Sequence, residues 1–354
     1  MNAPSSRTRR IGIGILGIGV SAISIAILVA VVDVGRTADT LARTDLRWVA
    51  LTLLMVPAQI ALRGARWALL LPRRTDGHRP SPWQVVPPML TGYFANLVLP
   101  ARLGEPVRGY LVARREQLGL SRVLGSILLE RVMDLATLAA VAVAAALVVG
   151  APLWMTQGTL VIAGVGLALV ILLAASVLPR AARALARVVS RRVGSRVGGR
   201  VGRLRGAVDV VVSFGEGAGG DGRAALLLAV VLSTVTWAFV AGTYWLLARS
   251  IGLEISWSGA MLVAAIATLG TAIPSAPAYI GTFEVAAVVA AGALGIGAEQ
   301  ALALALLAHA VTTVPFALAG GAAVLWLSVS LDEVADEAIA AAGWTAAQEP
   351  EPST

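Results

Sequence analysis

Long apolar segments separated by arginine clusters are the feature that most constrains this chain. A helix needs about 20 apolar residues to cross a bilayer. Six segments reach that length: 11–34, 46–71, 123–149, 153–178, 224–248 and 301–328. Only 14% of the residues are charged, and the mean hydropathy is +0.83. These values exclude a soluble globular domain and a disordered chain. We therefore expect an all-α polytopic membrane protein with about six full transmembrane helices in one domain, residues 11–328.

The arginines indicate how these segments are oriented. Residues 1–249 carry all 28 arginines and 11 acids, whereas residues 250–354 carry nine acids and no arginine. Basic residues concentrate in the cytoplasmic loops of membrane proteins. We therefore expect residues 1–10 and the arginine-rich loop 180–206 in the cytoplasm, and the chain in the plasma membrane. The absence of arginine after Arg249 leaves the orientation of the last segments open.

Two further regions interrupt the apolar pattern with proline, glycine and glutamate. They are residues 83–113 and 259–294. Arginines flank the first region on both sides, and its second arm is too short to cross a bilayer. We therefore expect two interrupted, re-entrant helical hairpins. Their common order of apolar arm, proline, glycine, glutamate and apolar arm fits an inverted repeat around a transport site. It also fits chance, because proline and glycine are common in transmembrane helices.

Arginine and apolar residues alternate through the loop 180–206, which is typical of a basic amphipathic helix on a membrane surface. Arg183, Arg187 and Arg191 represent its basic face. The loop either sets the topology or binds lipid. Nucleic acid is not an expected partner, because the stretch has no aromatic residue for stacking on bases. Residues 329–354 form an acidic tail, with a brief helix expected at 332–342.

Ionisable side chains at membrane depth are the first candidates for a site, because each costs about 2.5–3.5 kcal/mol without a partner or a water-filled cavity. Arg63 and Arg66 lie on one stripe of the second segment. We expect Arg63 to be paired and Arg66 to reach the cytoplasmic surface. Glu130 and Asp134 share a helix face beside Arg131 and need a cation between them. A purely structural ion network remains an equal alternative.

Each interrupted hairpin adds polar residues around its break. The first contributes Asn96, Arg102, Glu105 and Arg108, and the second contributes Pro274, Ser275, Gly281, Thr282 and Glu284. The glutamates either cap free N–H groups at a helix start or help to form a pocket for a lipid phosphate, with Arg102 and Arg108 as its contacts. With no cysteine and two histidines, neither a metal site nor another cofactor is expected.

Four strings taken together resemble the lysylphosphatidylglycerol synthase transmembrane (flippase-like) family. They are residues 63–67, 96–108, 130–134 and 274–284. The resemblance covers about residues 10–330. Some family members join this membrane region to a soluble aminoacyl-transfer domain, and the segment after Ser328 is too short for one. The resemblance therefore implies the lipid-translocating part without the synthase, and no enzyme.

The leading hypothesis is a flippase-like transporter that moves a phospholipid or a lipid-linked sugar between leaflets. Its partners would be membrane lipids with anionic or phosphate-bearing head groups. The alternative is a non-transporting membrane partner of a separate lipid- or glycan-modifying enzyme. An embedded enzyme ranks third, because only Glu130 with Asp134 offers acid–base groups. The lipid, the direction of transport and the oligomeric state are left open.

Overall fold

The computed structural model describes residues 6–99, 103–177, 222–273 and 275–347, and all regular secondary structure in these ranges is helical. The helices are α1 (Ser6–Val31), α2 (Val34–Ala42), α3 (Leu46–Leu70), α4 (Pro82–Val98), α5 (Gly104–Arg115), α6 (Leu120–Val149), α7 (Leu153–Val177), α8 (Gly222–Ser250), α9 (Trp257–Gly270), a 3₁₀ turn (Pro277–Tyr279), α10 (Thr282–Gly292), α11 (Ala298–Leu327) and α12 (Leu331–Ala347). The predicted amphipathic helix at 180–206, with Arg183, Arg187 and Arg191, lies outside the described residues.

Four of the described helices are long and apolar enough to cross a membrane, and a fifth span results if α1 and α2 are counted as one. The four are α3, α6, α8 and α11. The axes of α1 and α2 differ by 86°, because Asp33 accepts a hydrogen bond from the backbone N–H of Arg36 and so begins a new helix. The expected first span 11–34 is therefore bent at its end, and the expected count of six is not confirmed within the described residues.

The outside of the bundle is apolar and its interior is rich in small residues. Leu54, Leu227 and Leu325 expose most of their side chains, which suits a hydrocarbon environment better than water. Inside, alanines such as Ala264 and Ala305 are fully buried in the largest core cluster. Small residues let helices approach closely where lipid gives no hydrophobic drive for association. The chain thus has the surface and the core of a membrane protein.

Helices α4 and α5 form one hairpin, and α9 and α10 form another. Both pairs close on a glycine, since a Cβ on Gly92 would lie 2.6 Å from the carbonyl oxygen of Gly104, and one on Gly270 would lie 2.5 Å from Cβ of Ala286. The four arms have 17, 12, 14 and 11 residues. At about 1.5 Å per residue, each is shorter than a hydrocarbon core of about 30 Å. Both interrupted hairpins expected from the sequence are present.

Helices α3 and α8 pack antiparallel. At one end the backbone N–H of Asp45 donates to the carbonyl of Ser250 over 2.7 Å, and further along Gln59 donates to Thr243 over 3.3 Å. Around this pair, α4 packs on α11 and α9 packs on α6. Each hairpin is therefore held by a long helix from the other half of the chain.

The acidic segment after residue 328 forms α12, which is longer than the helix expected at 332–342 and lies against α5. Val334 packs in one apolar cluster with Val107 and Leu111, and Glu337 pairs with Arg114 at 3.6 Å. The C-terminal end of α11 therefore lies at the same end of the bundle as the basic end of α5.

We expect Gly92→Ala to lower the thermal unfolding midpoint of the protein in detergent. The added methyl group would clash with the backbone of α5, and overpacking of this kind costs about 1–3 kcal/mol. Gly158→Ala on α7 is the matched control, because no atom lies within 4 Å of its added Cβ. The control should unfold at the wild-type temperature or slightly above it, since alanine favours helix. Equal midpoints for the two variants would contradict the close contact in the first hairpin.

Candidate functional site

Three arginines and three acids from α3, α5 and α6 form one ion network. They are Arg66, Arg108, Arg131, Glu105, Glu130 and Asp134. At its centre Glu130, which is 1% exposed, accepts a hydrogen bond from Arg66 over 2.7 Å and another from Arg108 over 2.8 Å. The formal charges of the six side chains cancel, which is the condition for keeping such groups out of water.

Arg63 and Arg66 do not have the roles expected from the sequence. Arg66, predicted at the cytoplasmic surface, is 0% exposed. It binds both Glu130 and Asp134 and so supplies the cation that these acids need, and it also donates to Ser233 over 3.0 Å. Arg63, predicted to be paired, forms no ion pair within the described residues, and its Nε is buried without a hydrogen-bond partner. The prediction failed because helix periodicity does not tell which side of α3 meets the acids of α6.

The start of α5 is held by Asn96 rather than by Glu105. The side-chain oxygen of Asn96, on the opposite arm, accepts a hydrogen bond from the backbone N–H of Gly104 over 2.8 Å. Glu105 does not cap its helix, and instead pairs with Arg108 and Arg131, each at 2.7 Å. Asn96 and Glu105 thus both lie at the break of the hairpin, and the side-chain amide of Asn96 caps the helix.

Arg108 is enclosed by partners. It is 0% exposed, pairs with Glu105 and Glu130, and its guanidinium lies 4.6 Å from the centre of the Trp67 ring. The expected contact between Arg108 and a lipid phosphate stays a prediction; the side chain is buried here, and its Nη1 has no hydrogen-bond partner within the described residues. Arg102, the other expected phosphate contact, lies outside the described residues.

In the second hairpin Glu284 does cap its own helix. One of its oxygens accepts a hydrogen bond from the backbone N–H of Gly281 over 2.6 Å, and the other contacts Nδ1 of His309. Nε2 of His309 lies 2.8 Å from the carbonyl oxygen of Ala278. Since both ring nitrogens face acceptors, the pair is either imidazolium with carboxylate or imidazole with a protonated carboxyl group. In both forms it is neutral.

The remaining residues predicted in this hairpin belong to its turn. The hydroxyl of Thr282 donates to the carbonyl of Tyr279 over 3.2 Å, while Gly281 has φ +93°, a region open mainly to glycine. The hydroxyl of Ser275 is buried without a partner, and Pro274 lies outside the described residues. Helix α1 contacts this turn through Ser21, whose hydroxyl donates to the carbonyl of Ile280 over 2.7 Å.

A cavity of about 350 Å³ lies between the two hairpins. Its polar wall includes Gln59, Arg63, Asn96, Arg131, Asp134 and His309. Four of the predicted site residues therefore meet here, whereas Glu105, Arg108 and Glu130 lie behind the wall. Within the described part of the chain, no group of three histidine, aspartate or glutamate side chains is arranged to hold a metal ion.

Aromatic residues of the cavity were not predicted from the sequence, among them Tyr93, Trp237 and Tyr244. Trp237 and Tyr244 are 5% and 1% exposed, yet within the described residues the indole N–H and the phenol hydroxyl have no partner, and the hydroxyl of Tyr93 also has none. Buried polar atoms are normally paired, so these groups point to a ligand. The sequence did offer one signal for them, because Trp237 and Tyr244 are seven residues apart and so lie on one face of α8.

We expect Glu130→Gln to lower the free energy of unfolding by about 3–5 kcal/mol, because it removes the central charge between two buried arginines. Glu337→Gln is the control. It breaks an ion pair that is half exposed, a kind of pair that typically contributes about 0–1 kcal/mol. Thermal or denaturant unfolding in detergent measures both variants. Similar losses for the two substitutions would refute a stabilising role of the buried network.

A family model described as the lysylphosphatidylglycerol synthase TM region matches residues 14–320 of this chain. Among curated proteins, a glycosyltransferase, AglD of Haloferax volcanii, is 30% identical over 135 residues. That alignment covers 38% of this chain and 21% of the relative, so the chain matches about a fifth of the relative's length. The family match runs from α1 into α11 and contains both hairpins, the ion network and the cavity. This chain therefore belongs to the lysylphosphatidylglycerol synthase transmembrane family.

Proposed function

We propose that this protein is a flippase-like transporter that moves a phospholipid or a lipid-linked sugar between the leaflets of a membrane. The observation that carries the proposal is the polar cavity between two helical hairpins, inside a bundle with an apolar outer surface. The head group would occupy the cavity while its hydrocarbon chains stay in the surrounding lipid. Ionisable groups at membrane depth commonly line a substrate path, and the family membership supports a lipid as the substrate.

In this proposal the two halves of the chain are an inverted repeat. Helices α5 and α10 begin 178 residues apart, and so do α6 and α11. α6 and α11 each have 30 residues and are followed by a residue in the left-handed conformation, Gly150 with φ +65° and Ser328 with φ +54°. Two helix starts and the left-handed residues recur at the same interval, and the lengths of α6 and α11 are equal. These matches support duplication of one structural unit.

The packing between helices repeats in the same way. α3 contacts α8, which is its counterpart in the other half, while α4 contacts α11 and α9 contacts α6. Because α3 and α8 run antiparallel, the two halves would be related by an axis in the membrane plane, as in many secondary transporters. The first hairpin would then open from the cytoplasmic side and the second from the outside.

The cavity lies where the two halves meet. Several residues of its wall are related by the same interval of 178: Gln59 and Trp237, Tyr93 and Thr271, Arg131 and His309, Asp134 and Thr312, Leu138 and Phe316. In each half, a long-helix side chain contacts a glutamate in the first turn of the second hairpin arm: Arg131 with Glu105, and His309 with Glu284. A head group at this place would touch both halves, which suits alternating access by movement of one half against the other.

Gly119 and Gly297 provide a test of the inverted topology. They precede α6 and α11, have similar backbone angles, and leave room for an added side chain. The natural sequence has no cysteine, so Gly119→Cys and Gly297→Cys each carry one thiol. In intact cells, a membrane-impermeant maleimide should label only Gly297→Cys, and permeabilised cells should give labelling of both. Labelling of both positions in intact cells would exclude the inverted arrangement.

Transport itself can be measured with the purified chain in vesicles that contain an acyl-labelled fluorescent phosphatidylglycerol. Quenching of the outer leaflet by dithionite reports how fast the probe crosses. We expect Arg63→Gln to slow crossing about 10- to 100-fold, since a hydrogen bond to a charged group contributes about 1.5–3 kcal/mol. Arg36→Gln replaces an exposed arginine of α2, and in vesicles with this variant the probe should cross at the wild-type rate. Wild-type rates equal to those of protein-free vesicles would contradict transport of this lipid.

A second candidate is a membrane partner of a separate glycan-modifying enzyme. It is favoured by the partial likeness to a protein named as a glycosyltransferase. In that case the wild-type chain would move no lipid in vesicles and would co-purify from its own cells with a glycosyltransferase. Lipid movement by the chain alone would favour the transporter.

A further inference from the structure

We infer that the cavity accepts a head group that carries one phosphate charge and several hydroxyl groups, as in a phosphoglycerol or a phosphosugar, and disfavours a cationic aminoacyl head group. The inference rests on the proposed function, because it names the substrate class of the same cavity. Three observations support the inference: the charge of the cavity wall, the unpartnered hydrogen-bond donors of the residues that line it, and the different side chains that the two halves of the chain contribute to it.

The charge of the wall comes from Arg63. Arg131, the most accessible arginine of the network at 43%, is compensated by Glu105 at 2.7 Å, and Asp134 is compensated by Arg66. His309 with Glu284 forms a neutral pair. Among the described residues that line the cavity, Arg63 is thus the excess positive charge. Arg63 is partly exposed and lines the cavity, so one negative charge in the cavity would be stabilised by it and an added ammonium group would be repelled.

The hydrogen-bond donors call for a ligand with several oxygen atoms. Tyr93, Trp237 and Tyr244 line this region, and each has a buried polar atom without a partner within the described residues; such an atom costs about 1–3 kcal/mol while it stays unpaired. Thr271 and Thr312 also line the cavity, but their hydroxyl protons bind backbone carbonyls over 2.7 Å. Their oxygens still accept hydrogen bonds. Hydroxyl groups, which both donate and accept, match such a wall.

The two halves of the chain contribute different side chains to the wall. The first half supplies charged and amide groups, among them Arg63 and Asn96. The second half supplies Trp237, Tyr244 and Phe283. A volume of about 350 Å³ equals about a dozen water molecules at about 30 Å³ each, which exceeds the need of a phosphate alone. The phosphate would lie beside Arg63, and the hydroxylated group would lie against aromatic side chains.

Calorimetric titration of the purified full-length chain in detergent tests this assignment with four short-chain lipids. Dihexanoyl phosphatidylglycerol and a ten-carbon prenyl phosphomannose carry a phosphate and hydroxyl groups. Dihexanoyl phosphatidylethanol carries the same charge without a hydroxyl group on its head, and the lysyl ester of dihexanoyl phosphatidylglycerol adds positive charge. We expect the two hydroxylated anions to bind at least tenfold more tightly than the other two probes. The tighter of the two hydroxylated probes identifies the source of the hydroxyl groups.

The variants separate the two parts of the ligand. Arg63→Gln should weaken every anionic probe at least tenfold, whereas Tyr244→Phe and Trp237→Phe should weaken only the hydroxylated ones. Arg36→Gln is the control for the loss of an arginine, and unchanged thermal midpoints show that each variant is folded. Equal binding of phosphatidylethanol and the hydroxylated lipids, or tightest binding of the lysyl ester, would overturn the inference. Lipid movement in vesicles by the wild-type chain would still support transport after such a result, so the two proposals can fail separately.

Discussion

The ion network centred on Glu130 is the interaction on which the rest of the structure depends. Its carboxylate lies between Arg66 of α3 and Arg108 of α5, so one side chain of α6 connects a long helix to the first hairpin. In a medium of low dielectric constant, removal of one member leaves another charge without compensation. The network therefore favours the observed arrangement of these three helices. It also determines which arginines remain at the cavity.

The second hairpin also consists of two short helical arms, but its chemistry differs. His309 contacts Glu284, which caps the helix start as well. Helix α1 adds support here, because Ser21 binds the turn at Ile280 and at Ala276. Both hairpins combine close packing at a glycine with hydrogen bonds, and the first adds the network of arginines and acids. The cavity is therefore bordered by two hairpins of different chemistry.

Helix α12 helps to orient the last helices, which the arginines alone left open. The chain has no arginine or lysine after Arg249, so charge does not orient the last helices. In the folded protein, Glu337 of α12 lies beside Arg114, and Arg115 lies 5.8 Å from the centre of the Trp326 ring. The end of α11 therefore shares a side with the basic end of α5. If the basic loops are cytoplasmic, the end of α11 is cytoplasmic too.

Much of the site could be predicted because its signals are local. Proline and glycine that cluster with a glutamate between short apolar arms favour an interruption of the helix, so both hairpins followed from residues 83–113 and 259–294. Charged side chains at membrane depth are rare, and this marked Glu105, Glu130, Arg131 and Asp134, which the fold brings together. The bend after α1 was missed, because a single aspartate that starts a new helix weighs little in a long apolar run.

The sequence by itself determined that the chain is helical, membrane-embedded and interrupted twice, since hydropathy and helix breakers act over short distances. Only the tertiary structure decided which arginine is buried in the network and which one faces the cavity. Arg63 and Arg66 are three residues apart on one helix, and periodicity treats them alike. Their different roles arise because Arg66 reaches Glu130 and Asp134 of α6, while Arg63, one turn earlier, lines the cavity. The aromatic wall came from the fold for the same reason, since Tyr93 and Tyr244 are far apart in sequence and meet only across the cavity.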